Sequence, residues 1–406
     1  MNDVVVKKNK SGGILVGIIF ILAGIFLLWF NEGRTVKTKA AIMEAEDEYI
    51  DVSSETIDKN NDGKLIATNG KLEVSYDGAT DTTFDIHVAK PKLKRTVEMY
   101  QWKETCEDNN GNEVCRYSMV WDDEIINSNA FEETNHNNPS TMPYSSATFT
   151  ADGSRIGDFI LDGELLNQLN ADKKINLQDS AKITNMGLTN DGTYYTNVQN
   201  GTPKVGDIRI SFSYSDATNV SVLAVQNNNG FSKFTSKKGY SIYELEEGTL
   251  NGKQILQKLS DENNMTKWIF RLMGTIFIIG GFAAIISPLQ RLANFIPFFG
   301  TVFGWVTGFA TFILGLALSL IVIALAWLRY RPVLSIGLLI GVLIVIILTK
   351  KLKTKNNTNK KEISTQPVNI QNTSVNITNT QPQTPIQPTN NTNELNQNNI
   401  NSNNTK

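Results

Sequence analysis

The sequence holds only two cysteines and two histidines in 406 residues, and its formal net charge is −2. Two thiols neither make a disulfide framework nor complete a zinc site by themselves. His87 and His136 are the only imidazoles, and no serine or cysteine nucleophile has an evident partner in the sequence. The near-neutral charge gives no basis for nucleic-acid binding. Charge is also missing from the middle of four long apolar runs. Ion-coupled transporters usually carry ionisable residues there, so the absence argues against a proton or sodium pathway. No cofactor or metal, and no enzymatic activity, is expected.

What the chain does have is those four runs, at residues 12–30, 268–287, 298–327 and 333–349. A bilayer crossing needs roughly 20 apolar residues, within a range of about 17 to 25. The expected fold class is therefore membrane α-helical with four spans, joined to a β-rich α+β extramembrane domain. The expected order begins with a cytoplasmic N-terminus (1–11), the first span and the large domain (31–267). A second span, an interfacial loop bounded by prolines (288–297) and the third span follow. A short loop (328–332), the fourth span and an Asn-, Thr- and Gln-rich disordered tail (350–406) complete it. The first run is too long for a typical cleaved signal and lacks a small-residue cleavage site, so it reads as a retained anchor. Lysines at 7, 8 and 10, and at 350, 351, 353 and 355, place both termini in the cytoplasm and the domain on the far side. Arg34, Lys37, Lys39, Arg329 and Arg331 weaken that signal.

Within 31–267, Thr35–Tyr49 reads as a short helix leaving the membrane. Lys71–Tyr76, Thr96–Lys103, Arg116–Trp121 and Ile208–Tyr214 alternate with the period of strands, and Asn219–Val225 is β-branched. Gly163–Leu169 suits a short helix. Asn251–Asn263 suits an amphipathic helix leading into the second span. Asn110-Gly111 is a hairpin turn signal. It would set Cys106 and Cys115 on facing strands, either as a disulfide in an oxidising space or as two free thiols. Asp58–Gly63 matches half a calcium loop, but Asn69 stands where a bidentate Glu is needed, so a surface turn is the better reading.

Several short motifs recur in a specific order. Asn31-Glu32-Gly33-Arg34 follows the first span. Val97–Trp102, Tyr117, Trp121 and Glu124–Ser128 come next, then Phe131, His136–Pro143, Ile156–Phe159, Gly206–Phe212 and Ala326–Pro332. In these the chain resembles the LUMA family of four-span membrane proteins, over roughly residues 12–350. The resemblance implies a membrane-organising scaffold that self-associates and recruits membrane or envelope proteins. It implies the cell membrane if the source is bacterial, and the endoplasmic reticulum or inner nuclear membrane if it is eukaryotic. The alternative function is a lipid-handling protein or enzyme using a cleft in the domain. Tyr100, Trp102, Trp121, His136 and Pro139 belong to the family motif without an assigned role. The cysteine pair and the tail are not part of the family pattern.

Expected partners are membrane lipid, a second copy of the chain and unidentified membrane proteins. Gly300, Gly304 and Gly308 stand at four-residue spacing in the third span, and Gly13/Gly17 and Gly337/Gly341 repeat that spacing in the first and fourth. They make a candidate helix-packing interface, because small residues let helix backbones approach closely.

Overall fold

The computed structural model describes residues 4–8, 13–109, 112–293 and 299–337, together with 340, 344 and 347. Met1–Ile340 form one compact unit, to which everything below refers. The tail, Gly341 and most of the fourth apolar run lie outside the described residues, although 332–337 are helical.

The helices are α1 (Gly13–Glu48), α2 (Gly163–Leu166), α3 (Ala181–Asn185), α4 (Gly252–Ala293) and α5 (Phe299–Tyr330). Three of them, α1, α4 and α5, are long and apolar enough to cross a membrane. At about 1.5 Å per residue, α1 with its 36 residues is far longer than a bilayer core needs. The expected short helix at Thr35–Tyr49 is in fact the second half of α1. The expected amphipathic helix at Asn251–Asn263 is likewise the start of the 42-residue α4. Nothing at either junction breaks a helix, so the apolar and polar stretches run on as one rod. Pro288 is also accommodated inside α4, which continues to Ala293. The loop expected at 288–297 therefore starts later than the proline implied, and its remainder lies outside the described residues.

The domain is built on two sheets. The first runs in the order Val4–Lys8, Asn112–Asp122, Lys92–Asn109, Ile208–Tyr214, Tyr195–Thr196, Thr189–Asn190. The second runs Phe159–Ile160, Arg155–Ile156, Leu65–Glu73, Asn219–Asn227, Gly230–Ser232, with Glu244–Glu247 also on Asn219–Asn227. Lys92–Asn109 and Asn112–Asp122 form a long antiparallel hairpin, here termed the arm, in which Cys106 lies opposite Cys115. The two sulfurs are bonded.

The strand Val4–Lys8 precedes α1, whereas its partner Asn112–Arg116 follows it. Among the described residues this pairing covers the outer edge of Asn112–Arg116 and leaves that of Tyr117–Asp122 without a partner strand.

The second sheet is buried on both faces, and for that reason Val220–Ala224 are all buried, with the Ser221 hydroxyl donating to the Gly248 carbonyl and accepting from the Leu250 N–H. Ile66, Val220, Val222 and Ala224 face a core closed by Phe159, Leu165 and Leu166. Leu65, Ala67 and Leu223 face the opposite way, onto Ala41, Ile42 and Ala45 of α1 and Ile255, Leu256 and Leu259 of α4. The sheet thus rests directly on the parts of α1 and α4 that stand clear of the apolar runs. The first sheet has its own core around Phe84, Leu93, Val97, Tyr195, Ile210 and Phe212.

Candidate functional site

Residue spacing brings α1 and α4 together. Gly17, Gly24, Asn31, Thr38 and Ala45 recur every seven residues and are all buried, with Leu28, Thr35 and Ile42 four residues after three of them. A seven-residue repeat keeps one seam of a helix facing its partner. Inside the apolar run the seam is glycine on glycine. A Cβ on Gly17 would stand 2.5 Å from the Gly281 carbonyl oxygen, and one on Gly24 would stand 2.7 Å from that of Gly274. The helices are antiparallel, with Gly13 beside Ala284 and Asn31 beside Lys267. The anticipated glycine face behaves differently. No described residue comes within 4 Å of a Cβ at Gly304, Gly308 or Gly337. The surroundings of Gly300 and Gly341 lie outside the described residues.

Where the apolar run of α1 ends, the seam turns polar. Glu32 is 0 % exposed. Its Oε1 accepts from Arg271 of α4, at 2.7 Å from Nε and 2.6 Å from Nη2. Its Oε2 accepts from the Trp327 indole of α5 at 2.9 Å. One carboxylate therefore ties all three long helices together. The Arg271 guanidinium also lies over the rings of Trp268 and Trp327. Asn31 donates to the Lys267 carbonyl at 3.0 Å. Arg34 donates to the side chain of Asn263 at 3.2 Å, and Asn263 donates back to the Thr35 carbonyl at 3.2 Å. Gly33 is required by close approach: a Cβ there would lie 2.8 Å from Cζ of Tyr330. Asn31-Glu32-Gly33-Arg34 and Trp327 through Tyr330, far apart in sequence, thus form one polar collar. Its placement fits the physics of a charge near lipid, which is tolerated only when paired within the bundle.

A second cluster sits at the root of the arm. The His136 ring is buried, stacks on Tyr117 with centroids 4.0 Å apart and meets Trp102 edge-on at 4.4 Å. Tyr100 packs on Trp121 at 5.1 Å. The guanidinium of Arg209 lies over Trp121 and Tyr194 and makes a two-point ion pair with Glu98, at 2.6 and 2.7 Å. Pro139 lies against Gly206, whose φ of +90° also demands glycine.

The loop after the arm is stitched down by side chains acting as strand mimics. The Asn138 amide accepts from the Trp102 N–H and donates to the carbonyls of Trp102 and Ile126. Gln101 donates to the Glu124 carbonyl and accepts from the Ile126 N–H. Tyr117 donates to Glu104 at 2.5 Å. Burial, reinforced by that bond, pushes its phenol up to about 12. Such an arrangement fixes the arm and its loop. It does not ready a proton for transfer near neutral pH.

The half calcium loop is also committed to packing. Asp58 accepts from the backbone of Asn60, while Asp62 accepts from Gln226 and from the backbone of Asn228. The grouping of Glu104, Cys106 and Cys115 offers no thiolate, because both sulfurs are in the disulfide.

The transmembrane protein 43 family model matches residues 99–332, from the root of the arm to the end of the collar. Mouse transmembrane protein 43 is 30% identical over 368 residues, covering 84% of this chain and 91% of its own. The human protein is 29% identical over 365 residues, covering 85% and 90%. The Drosophila melanogaster homolog is 27% identical over 350 residues, covering 80% and 91%. No solved structure shows a significant match. The collar and the arm root, built from the motifs that carried the resemblance, thus belong with a match spanning most of the sequence: the chain is a member of the transmembrane protein 43, or LUMA, family.

Proposed function

We propose that the protein is a non-enzymatic membrane scaffold that self-associates and recruits other membrane proteins through its outer domain. The observation that carries this reading is the shared core between the second sheet and the continuous helices α1 and α4. A domain joined to its anchors by buried Leu, Ile and Ala side chains holds its outer surfaces at a fixed height and angle above the lipid. That is what an assembly platform needs, and a flexible linker would defeat it. The arm, closed by a disulfide and clamped at its root, adds at Tyr117–Asp122 a strand edge without a partner strand among the described residues, of the kind that extended segments pair with. The membrane is the cell membrane in a bacterial source, or the endoplasmic reticulum and inner nuclear membrane in a eukaryotic one.

The alternative, a lipid-handling protein or enzyme, would draw on the open cleft of about 780 Å³ between Arg95 and Tyr144. Arg95 is already engaged there by Asp81 at 2.6 Å and by the Ser145 carbonyl, and His136 is not among the cleft's lining residues. The scaffold reading is therefore preferred. Its test is crosslinking and mass spectrometry of the full chain in its own membrane. Crosslinks between copies and to a recurrent set of membrane proteins through the arm and the outer sheet are expected. A chain that stays monomeric and captures no recurrent partner refutes the reading.

A further inference from the structure

Beside the collar a recess of about 230 Å³ opens at the boundary between the apolar run and the domain. Trp29 and Phe30, the last residues of the run, line it together with Tyr330 of α5. Arg34, Lys37 and Tyr240 also line it. The Trp29 and Tyr330 rings lie 6.0 Å apart, and Phe30 is 53 % exposed. Nε of Arg34 is buried without a hydrogen-bond partner among the described residues, although both its Nη atoms are used in the collar. Lys37 is exposed and has no ion pair among the described residues. The lining carries no carboxylate.

We propose that this recess is a binding site for the phosphodiester headgroup of an anionic glycerophospholipid. Each chemical part of such a lipid meets its complement. The acyl chain lies along Phe30 and Trp29, at the depth where aromatic side chains gather in membrane proteins. The glycerol region meets the Tyr330 and Tyr240 hydroxyls. The phosphate lies against the exposed ammonium of Lys37, within the field of the Arg34 guanidinium, whose Nη atoms stay in the collar. Two cations and no acid favour a headgroup with net negative charge over a zwitterionic one, whose amine would find no partner. Basic recesses between spans at the headgroup level are suited to this recognition. The site is separate from the cleft at Arg95 and is independent of the scaffold reading.

The test uses the full chain in nanodiscs of an equimolar mixture of phosphatidylcholine and phosphatidylglycerol. Lipids retained on detergent release are counted by native mass spectrometry. The wild-type chain is expected to retain phosphatidylglycerol preferentially. Lys37→Gln, which leaves the collar intact, should lower that preference about fivefold, on the scale of one basic residue at a membrane surface. Lys39→Gln, an exposed cation outside the recess, should leave it unchanged. Equal retention of the two lipids by the wild type overturns the proposal, as does an equal loss in both variants, which would indicate general surface attraction. Delipidated protein is also titrated with inorganic phosphate alone. Thermal protection by free phosphate but not by phosphatidylglycerol overturns the lipid assignment in favour of a small anion.

Discussion

The α1–α4 pair uses one repeat in two solvents. Below the collar, Gly17 and Gly24 bring backbone against backbone at Gly281 and Gly274. Above it, Thr38, Ile42 and Ala45 stand in the same repeat, and the attraction comes from aliphatic side chains shared with the second sheet. Lipid tails are as apolar as leucine, so burying leucine gains little inside a bilayer, and close packing must supply the attraction. In water the hydrophobic effect returns, and larger side chains serve better. The collar marks the level at which one rule replaces the other.

Four experiments can break or sharpen that contrast. The largest effect is expected at the collar. Glu32→Gln leaves Arg271 buried without its counter-charge and should cost about 3–5 kcal/mol, read as lost thermal stability of the detergent-solubilised chain. The double variant Glu32→Leu with Arg271→Leu should recover much of that loss. If the single and double variants are equally unstable, the ion pair is not what holds the three helices.

Above the collar, Leu223→Ala opens a cavity between sheet and helices and should cost about 2–5 kcal/mol. The domain should then become protease-sensitive while α1 and α4 remain helical. Loss of both together would show that the two halves do not behave separately.

Below the collar, Gly17→Leu should force the helices apart at a cost of about 1–3 kcal/mol, whereas Gly304→Leu should be close to neutral for monomer stability. Comparable damage from both would mean that α5's glycines meet a partner outside the described residues.

The smallest effect depends on pH. Glu244 lies on the sheet edge beside Glu246, which is itself paired with Lys258 of α4. Burial first, then Glu246 and Glu262, push its carboxyl from 4.5 up to about 7. Between those values the folded chain binds a proton that the unfolded chain does not, so stability falls as pH rises through that window. Glu244→Gln should flatten the slope and stabilise the chain above pH 7 by about 1–2 kcal/mol, after discounting for partial exposure. An unchanged pH profile would remove Glu244 as its source.

Much of the architecture was legible because its signals are local. Period-two alternation located Ile208–Tyr214, and apolar length located the three long helices α1, α4 and α5. The Asn110-Gly111 signal in the sequence anticipates the placing of Cys106 opposite Cys115. Two features were not legible in that way. Four-residue spacing of small residues marks Gly13 and Gly17, which do lie in the seam, along with Gly304 and Gly308, which do not, while the seam as a whole has a seven-residue period. That period crosses from Gly17 to Ala45 through residues of very different polarity, so no hydropathy window displays it. The collar was visible only as separate motifs. Asn31–Arg34 and Trp327–Tyr330 are nearly 300 residues apart, and their meeting depends on the antiparallel packing of α1, α4 and α5. Tyr100, Trp102, Trp121, His136 and Pro139 share a motif order in the sequence, and the structure gives them a shared place at the arm root.

The unbroken passage of α1 from Gly13 to Glu48 has a mechanical meaning. A chain that changes from helix to linker at the lipid surface absorbs a pull as slack. Here there is none: a load applied to the outer sheets travels down two stiff rods and reaches the bilayer as a tilt of the bundle. The outer sheets and the apolar ends of α1 and α4 are thereby placed on opposite arms of one lever, with its fulcrum at Glu32.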